Sequence, residues 1–223
     1  MKKPRSAVRC LLVAVKYVLF VIIAIFLLGA ILLFSAYGSL KNAGLNGLAG
    51  KGALEAAVTA ARSQNWEEGM RQAVAGQENF AAGLDHITDS RGNNVIRYFP
   101  PVRRQIDDLE YLLKTGEIMS RSFQAAFPIA QGLTEIRSGA GGKSFAELPA
   151  ADKDEFLKYV FRSEPEINGL RANLELASLN LGKVHRIGIM WPVYGRIAEI
   201  REQLDQALNL LNLGGPLIRM LPA

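Results

Sequence analysis

The segment Gly139-Ala-Gly-Gly-Lys-Ser144 contains the residue types of a phosphate-binding loop. Such a loop follows a β-strand and carries a glycine five positions before its Gly-Lys-Ser triplet, so that backbone amides surround the phosphates. Here that position is Arg137, and no strand is predicted before it. The spacing therefore favours a flexible linker between two helices, and we expect no nucleotide or other cofactor.

The two histidines, His86 and His185, are nearly a hundred residues apart, without cysteines or clustered carboxylates at the spacing of metal ligands. Asp85 precedes His86, but adjacency in sequence does not by itself make a catalytic pair. The chain also has no Gly-x-Ser-x-Gly segment that would present a nucleophilic serine. We therefore expect no metal site and no catalytic residues of a hydrolase.

Three groups of carboxylates are predicted to lie in the first turns of helices, where the helix dipole and solvent stabilise them. They are Glu67-Glu68, Asp107-Asp108-Glu110 and Asp152-Asp154-Glu155. Two carboxylates that face each other across a cleft are the machinery of glycoside hydrolysis, and the sequence neither places nor excludes such a pair. Trp66 and Trp191 are interpreted as packing residues at helix starts rather than as a platform for a sugar ring.

The elements that would position these residues follow a run of twenty uncharged residues, Tyr17 to Ala36. Fourteen of them are Leu, Ile, Val or Phe, and a helix of this length spans about 30 Å, the thickness of a bilayer core. We therefore predict a transmembrane anchor at residues 17–36. A cleaved signal peptide is the alternative, because Ala36-Tyr37-Gly38 fits a cleavage site, although the apolar part of a signal peptide is usually shorter.

Residues 1–16 form a basic tail that contains no acid. Its cations are Lys2, Lys3, Arg5, Arg9 and Lys16. Because basic residues beside a membrane helix stay in the cytoplasm, we expect a single-pass protein of the inner or plasma membrane with a cytoplasmic N-terminus and an extracytoplasmic body. The one cysteine, Cys10, lies on the cytoplasmic side, so that body has no disulfide.

The charge of the body argues against nucleic acid as a partner. Of the 26 Lys and Arg, five lie in the tail, which leaves 21 to balance 21 Asp and Glu. A neutral body with interspersed charges offers no basic face that would neutralise many phosphates. The net charge of +5 is therefore a property of the tail, which suits membrane topology and anionic headgroups.

Beyond the anchor, the hydrophobic periodicity predicts an all-α protein, a bundle of antiparallel helices. The predicted parts are a stalk at 37–52, a first helical subdomain at 53–137, a Gly-rich loop at 138–150 and a second helical subdomain at 151–223. Val95 to Phe99 and Val184 to Met190 are the only strand-like stretches, and both are too short to predict a sheet.

Four apolar stripes are predicted to face the core. They are Leu54, Ala57, Val58 and Ala61; Trp66, Met70, Ala73, Val74, Phe80, Leu84 and Ile87; Ile106, Leu109, Leu113, Met119, Phe123 and Phe127; and Ile197, Ile200, Leu204, Ala207 and Leu211. The first two stripes are separated only by Ser63-Gln64-Asn65, and such a short break predicts an antiparallel hairpin with Asn65 as the cap of its second helix.

Local signals also predict where the later helices begin and end. Pro100 and Pro101 should begin a helix, since proline is tolerated in the first turn, and Pro128 should kink or end it. The pairs Asp152 with Glu155 and Ser163 with Glu166 have the spacing of capping boxes and predict two further helix starts.

The order of these features resembles the N-terminal region of the bacterial family called domain of unknown function 4012. The similar stretches are Ala53 to Ala61, Trp66 to Phe80, Phe99 to Ile106 and Leu210 to Pro222. The resemblance covers most of residues 10–223. It implies an envelope-associated protein of unresolved activity with a link to surface polysaccharide, and it supplies no catalytic residue. Members typically continue into a larger second domain, so it also implies an N-terminal fragment or a shortened member.

We therefore expect a membrane-anchored extracytoplasmic helical protein of the bacterial cell envelope that acts as a spacer or protein-interaction module and is not an enzyme in this region. Its expected partners are the lipid bilayer and an envelope protein or polysaccharide. Two alternatives stay open: a sensory or receptor ectodomain that binds a small ligand between its helices, and a polysaccharide enzyme whose catalytic domain lies beyond this chain. The sequence does not predict the oligomeric state.

Overall fold

The computed structural model describes residues 37–91, 100–139, 141–142, 145–185, 197–209 and 211. Throughout these ranges the protein is all-α, and they contain no strand. None of the helices in this part is long and apolar enough to cross a bilayer. The predicted anchor at residues 17–36, Trp191, and the strand-like stretches apart from Val184 and His185 lie outside the described ranges.

Six α-helices and one 3₁₀ turn make up the described part. They are α1 (described over 37–62), α2 (Trp66–Arg91), α3 (Pro100–Gly139), the 3₁₀ turn Phe145–Glu147, α4 (Ala150–Arg162), α5 (Glu164–Lys183) and α6 (described over 197–209). The 40-residue helix α3 packs against both α2 and α5 and is the central element.

Helices α1, α2 and α3 pack side by side in alternating directions, as a hairpin and a returning third helix. Their closest approaches repeat every seven residues at three levels of the bundle. The levels contain Ala57, Gly69 and Phe127; Gly50, Gly76 and Ser120; and Ala43, Gly83 and Leu113. A repeat of seven residues keeps the same faces together over several turns when helices supercoil in the left-handed sense.

Glycine on α2 permits this close approach. A Cβ atom added at Gly83 would lie 3.0 Å from the Leu113 side chain of α3 and 3.3 Å from the Ala43 carbonyl oxygen of α1. Gly76 and Gly69 occupy equivalent positions one and two heptads away. At every level a Cβ atom added on α2 would therefore touch a carbonyl oxygen of α1, and larger residues would separate the helices.

The prediction of a stalk at residues 37–52 is wrong. This segment is helical, and Ala43 and Gly50 are buried in the core. The glycines that suggested flexibility include Gly47 and Gly50, where an added Cβ would lie 3.0 Å from Leu113 and 2.9 Å from the Phe80 ring. Each glycine costs a helix up to about 1 kcal/mol of propensity, and burial against α2 and α3 offsets this cost.

A second apolar cluster lies on the other side of α3. Its buried members are Leu174, Ala177, Leu181, Val184, Ile197 and Leu204 of the α5–α6 region. Tyr111, Leu112, Ile118 and Met119 of α3 pack against them. Because α3 lines this cluster as well as those of α1 and α2, the division into subdomains 53–137 and 151–223 does not correspond to two separate cores.

The predicted apolar stripes are largely found in the core, with two exceptions. Ala57, Phe80, Ile106, Leu113 and Phe127 are buried as expected. Val74 and Ile200 are exposed, with 38% and 43% of their surface accessible. Helix α2 buries a small-residue face at Gly69, Gly76 and Gly83, which a search for large apolar residues overlooks.

The predicted helix starts are confirmed in position, but only some of the predicted capping hydrogen bonds are formed. Asn65 caps α2, since its Oδ1 accepts a hydrogen bond from the Glu68 amide at 3.3 Å. Helix α5 begins directly after Ser163, but the Ser163 hydroxyl donates backwards to the Tyr159 carbonyl at 3.0 Å and forms no capping box. Pro128 does not end α3, which continues to Gly139.

The predicted Asp152 cap is also wrong. Helix α4 begins at Ala150, and its N-cap is Pro149, which makes no side-chain capping bond. Asp152 lies inside the first turn, where it interacts favourably with the helix dipole. The sequence therefore located this helix to within two residues while assigning the cap to the wrong side chain.

Candidate functional site: the buried Asp108 and the exposed His185

Asp108 lies where the start of α3 meets the end of α5. Only 1% of its side chain is exposed. Its Oδ1 atom accepts a hydrogen bond from the His185 backbone amide at 3.0 Å and lies 2.8 Å from Nδ1 of the His185 ring. The carboxylate therefore holds both the backbone and the side chain of the residue that leaves α5.

The hydrogen bonds orient the imidazole ring. An ionised carboxylate only accepts hydrogen bonds, so the neutral tautomer of His185 that pairs with such a carboxylate carries its proton on Nδ1 and leaves Nε2 without one. About half of the His185 side chain is exposed. A carboxylate behind Nδ1 and a free Nε2 is the arrangement found in general bases and in metal-binding histidines.

The second oxygen of Asp108 distinguishes the site from an ordinary surface ion pair. Oδ2 is buried and has no hydrogen-bond partner among the described residues. Leaving a buried carboxylate oxygen unpaired costs free energy. The pair is thus an energetically demanding feature of a fold that is otherwise held by apolar packing.

The prediction that dipole and solvation explain the carboxylates from Asp107 to Glu110 is wrong for Asp108. No acid lies in the first turn of α3, since the helix begins at Pro100. Sequence periodicity showed only one buried side of α3, whereas α5 covers another. The missed signal is a heptad series of polar residues, Asp108, Thr115 and Ser122, all of them buried.

A nucleophile beside His185 would be needed for catalysis of the serine or cysteine type. Nine Ser and Thr hydroxyls of the described part instead donate to carbonyl oxygens one turn earlier in their own helices, and the Ser178 hydroxyl donates to Oδ1 of Asp205 at 3.3 Å. The nine are Thr59, Ser63, Thr88, Ser90, Thr115, Ser120, Ser122, Thr134 and Ser163. Their protons are engaged in helical hydrogen bonds rather than in a bond to His185.

No described group of three or more His, Cys, Asp or Glu residues is arranged to hold a metal ion. His86 lies near the end of α2, and His185 follows α5. Asp108 and His185 together supply two potential ligands, and the Asp108 oxygen nearest the ring is already used by the His185 amide and ring.

The Gly139–Ser144 segment begins at the last residue of α3, and the amides of its two described turn residues are occupied. The amides of Gly141 and Gly142 donate to the carbonyls of Ser138 and Arg137 at 3.0 and 2.9 Å. Both glycines have φ near +73°, a left-handed conformation that commonly terminates helices. The described amides therefore close the end of α3, and Lys143 and Ser144 lie outside the described residues.

A polar cleft of about 760 Å³ lies between the end of α3 and α4. Its charged lining residues are Glu135, Asp152, Asp154, Glu155, Lys158 and Arg162. Lys158 pairs with Asp154 at 2.7 Å, and the Tyr159 hydroxyl donates to the Pro128 carbonyl at 2.9 Å. The cleft therefore contains both acidic and basic side chains, and two of them, Asp154 and Lys158, neutralise each other within α4.

An apolar groove of about 290 Å³ lies between α3, α5 and α6. Phe123 of α3, Leu174 of α5 and Leu204 of α6 line it, with Gln203 as a polar lining residue. Its volume is at the lower limit for small-molecule pockets. The receptor alternative, in which a small ligand binds between the helices, would use this groove.

Comparison with known proteins gives no assignment. No protein-family model, curated protein or solved structure matches this chain. The resemblance to the domain of unknown function 4012 region therefore stays a prediction. Function has to be inferred from the residues and their arrangement.

Proposed function

We propose that this protein is a membrane-anchored helical module of the cell envelope, whose bundle stands outside the cytoplasm as a spacer or protein-interaction module. The observation that carries this proposal is the junction between the uncharged run and the bundle. Residue 37, which directly follows Tyr17–Ala36, is already helical. Helix α1 is packed from Ala43 to Ala57 against both α2 and α3.

A rigid junction favours a positioning role. The described part of α1 has 26 residues and extends about 40 Å at 1.5 Å per residue. With no flexible stalk within residues 37–62, a membrane helix at 17–36 would hold the bundle at a defined height and orientation. Surfaces on α4 and α5 would then be presented to partners in the envelope.

The chemistry of the described residues supports a non-catalytic role in this region. The Asp108–His185 pair joins α3 to the end of α5, and the hydroxyls of Thr115 and Ser122 further along α3 are engaged in helical hydrogen bonds. The neutral charge of the exported part fits neither nucleic acid nor a strongly charged substrate. A receptor that uses the apolar groove and a polysaccharide enzyme stay as alternatives.

The proposal is tested by topology mapping of the full chain with a C-terminal epitope tag in bacterial cells. Alkaline carbonate should leave the protein in the membrane pellet. External protease should destroy the tag in spheroplasts while the N-terminal tail survives. A matched variant that replaces Ile23 and Phe26 with Arg should lose membrane retention, because a charge at the centre of a membrane helix costs about 2.5–3.5 kcal/mol.

Mass spectrometry separates the anchor from a cleaved signal peptide. An anchored chain keeps its mass of 24.4 kDa, increased only by the tag, whereas cleavage near Ala36-Tyr37-Gly38 would remove the N-terminal segment. Release of the wild-type protein by carbonate, or protection of the tag in intact spheroplasts, would contradict the proposal.

A further inference from the structure

Helix α1 has an exposed apolar strip on the side away from α2 and α3. Leu45 and Leu48 are 53% and 67% exposed. They belong to a series of exposed residues at alternating spacings of four and three, a pattern that keeps side chains on one face of a helix. We name this series the α1 seam, and it consists of Lys41, Leu45, Leu48, Gly52 and Glu55.

Helix α5 has a strip of the same kind. Leu176 and Leu179 are 46% and 63% exposed. We name the series that contains them the α5 seam, and it consists of Gly169, Ala172, Leu176, Leu179 and Lys183. None of the apolar clusters in the described part includes the exposed leucines of either seam. Both seams are therefore without a partner within the bundle.

The heights of the two seams can be compared through α3. Ala43 of α1 and Leu113 of α3 both approach Gly83, so a residue of α1 is level with the α3 residue numbered about seventy higher. The amide of His185 donates to Asp108, which places the end of α5 level with the start of the described part of α1. Residues nearer the start of α5 lie beside later residues of α3. Helix α5 therefore runs antiparallel to α1.

The leucines of the two seams lie at the same height. Each step forward along α1 corresponds to one step back along α5. Leu45 is therefore level with Leu179, and Leu48 is level with Leu176, to within about 3 Å, the rise of two residues. Because α1 and α5 lie on opposite sides of α3, the two seams face different neighbours.

Side-by-side copies of the bundle bring one seam against the other. In this arrangement the α1 seam of one copy is antiparallel to the α5 seam of the next, and the alternating spacings interlock as in a coiled coil. The two leucine pairs oppose each other, and Gly52 faces Ala172, which permits close approach. Lys41 and Lys183 end the apolar contact on one side, where Lys183 lies over the Tyr111 ring of its own chain at 5.2 Å.

The charges that flank the seams are complementary in the same register. Lys51 precedes Gly52 beside the α1 seam, and Glu175 precedes Leu176 beside the α5 seam. In an antiparallel pair these two flanking positions lie on the same side, within about two residues in height. Glu175 is exposed and makes no ion pair within the described residues. Lys51 pairs with Glu55 of its own helix at 2.7 Å, an exposed contact weak enough to be shared.

We propose that the partner of the α1 seam is a second copy of this chain, which binds through its α5 seam. This inference rests on the proposed function as an interaction module and names the partner. Each copy then offers a free seam on either side, so the contact is heterologous and produces a ring or an open row. Equal heights of the seams keep all copies at one distance from the membrane, as chains anchored in a single bilayer require.

Cross-linking of introduced cysteines tests which faces meet. The native Cys10 is first replaced by serine in the full-length protein. Leu48→Cys and Leu176→Cys are then introduced singly and together, at exposed positions outside the apolar clusters. Membranes from cells that express each variant are treated with a short bis-maleimide, and the products are separated by denaturing electrophoresis.

The double variant L48C/L176C should give a ladder of dimers, trimers and larger products. Each single variant should remain monomeric, and co-expression of the two single variants should give products that stop at the dimer. The matched control V74C/L176C moves one cysteine to an exposed position on α2. It should give no ladder.

Charge reversal tests the predicted ion pair in the L48C/L176C background. Lys51→Glu or Glu175→Lys should each reduce the cross-linked fraction by about two- to fivefold, the range expected for an exposed pair. The two changes together should restore the fraction. Asp85→Lys, at an exposed position on α2, is the control and should leave it unchanged. Reduction by both single changes without restoration would contradict the Lys51–Glu175 contact.

The remaining outcomes are decisive for the seams. A dimer from either single variant would indicate that identical faces meet and would overturn the heterologous contact. A ladder of equal yield from V74C/L176C would show collision between copies and would also overturn it, as would the absence of products from L48C/L176C.

Carbonate washing of the same membranes distinguishes this inference from the proposed anchor. Protein that is retained but gives no ladder would remain an anchored module without a second copy as its partner. A ladder formed by protein that carbonate releases would support the contact between seams and contradict the anchor.

Discussion

The ring of Phe80 lies so close to Gly116 that a Cβ atom at position 116 would be 2.4 Å from two ring carbons. The same ring would lie 2.9 Å from a Cβ atom at Gly50. Phe80 of α2 therefore fills space that glycines of α1 and α3 leave on either side. One aromatic side chain fixes how closely three helices approach one another.

Gly116→Ala should destabilise the protein by about 1–3 kcal/mol, because the ring has no room to move without overpacking the core. Gly44→Ala is the matched control, since no atom lies within 4 Å of an added Cβ there. That change should raise the free energy of unfolding by about 0.5–1 kcal/mol through helix propensity. Chemical denaturation followed by circular dichroism in a non-ionic detergent measures both. Equal stability of the two variants would contradict the packing described for Phe80.

The clash also predicts energetic coupling between the two residues. Phe80→Leu should destabilise the parent protein by leaving a cavity. In that background Gly116→Ala should cost less than it costs beside Phe80, because the smaller side chain vacates the space that the methyl group needs. A double-mutant cycle should give a coupling free energy of about 0.5–3 kcal/mol. Additive effects would show that Gly116 is required for another reason.

The sequence predicted the elements of this fold better than their closest contacts. Apolar periodicity found the helices containing Phe80, Leu113 and Phe127 because large side chains produce a strong pattern. Gly50 was interpreted as a sign of flexibility, and Gly76 was left out of the predicted core face, since the penalty of glycine in a helix is local while its benefit depends on a neighbouring helix. Close packing between two helix backbones leaves no pattern in the sequence of either helix alone.

The sequence shows the two residues of the candidate site but does not predict that they pair. His185 and Asp108 were each visible as residue types, but they are 77 positions apart, and nothing local links them. Burial of Asp108 arises because α3 is covered on two sides. A single apolar stripe cannot reveal a second covered face, so the carboxylate was assigned to solvent.

Asp108→Ala should lower the free energy of unfolding by about 1–3 kcal/mol, since the His185 amide then loses its acceptor in a partly buried position. His185→Ala should cost less, because the backbone bond to Asp108 survives. Asp85→Ala, at an exposed position on α2, is the control and should change stability by less than about 0.5 kcal/mol. Chemical denaturation measures the free energy of unfolding of each variant. Hydrogen exchange of the backbone amides at the end of α5 should accelerate most in the Asp108 variant. No acceleration there would show that the pair does not hold α5.

Tyr159→Phe tests the attachment of α4, the helix with no fully buried residue. Its hydroxyl donates to the Pro128 carbonyl at 2.9 Å, and losing that bond should cost about 0.5–1.5 kcal/mol. The effect should be confined to faster hydrogen exchange in α4. Phe161→Leu, at a side chain 64% exposed, should leave exchange unchanged. Equal exchange in all three proteins would indicate that α4 is held by other contacts.

The three levels at which α1, α2 and α3 meet restrict the length of the bundle to steps of seven residues. Removing one residue between Gly69 and Gly76 turns the rest of α2 by about 100° and takes its glycines away from the α1 backbone. Removing seven residues at matching levels from all three helices preserves every facing pair and shortens the bundle by about 10 Å. Related proteins that keep this core should therefore differ in height by steps of one heptad, and intermediate heights should be absent among them.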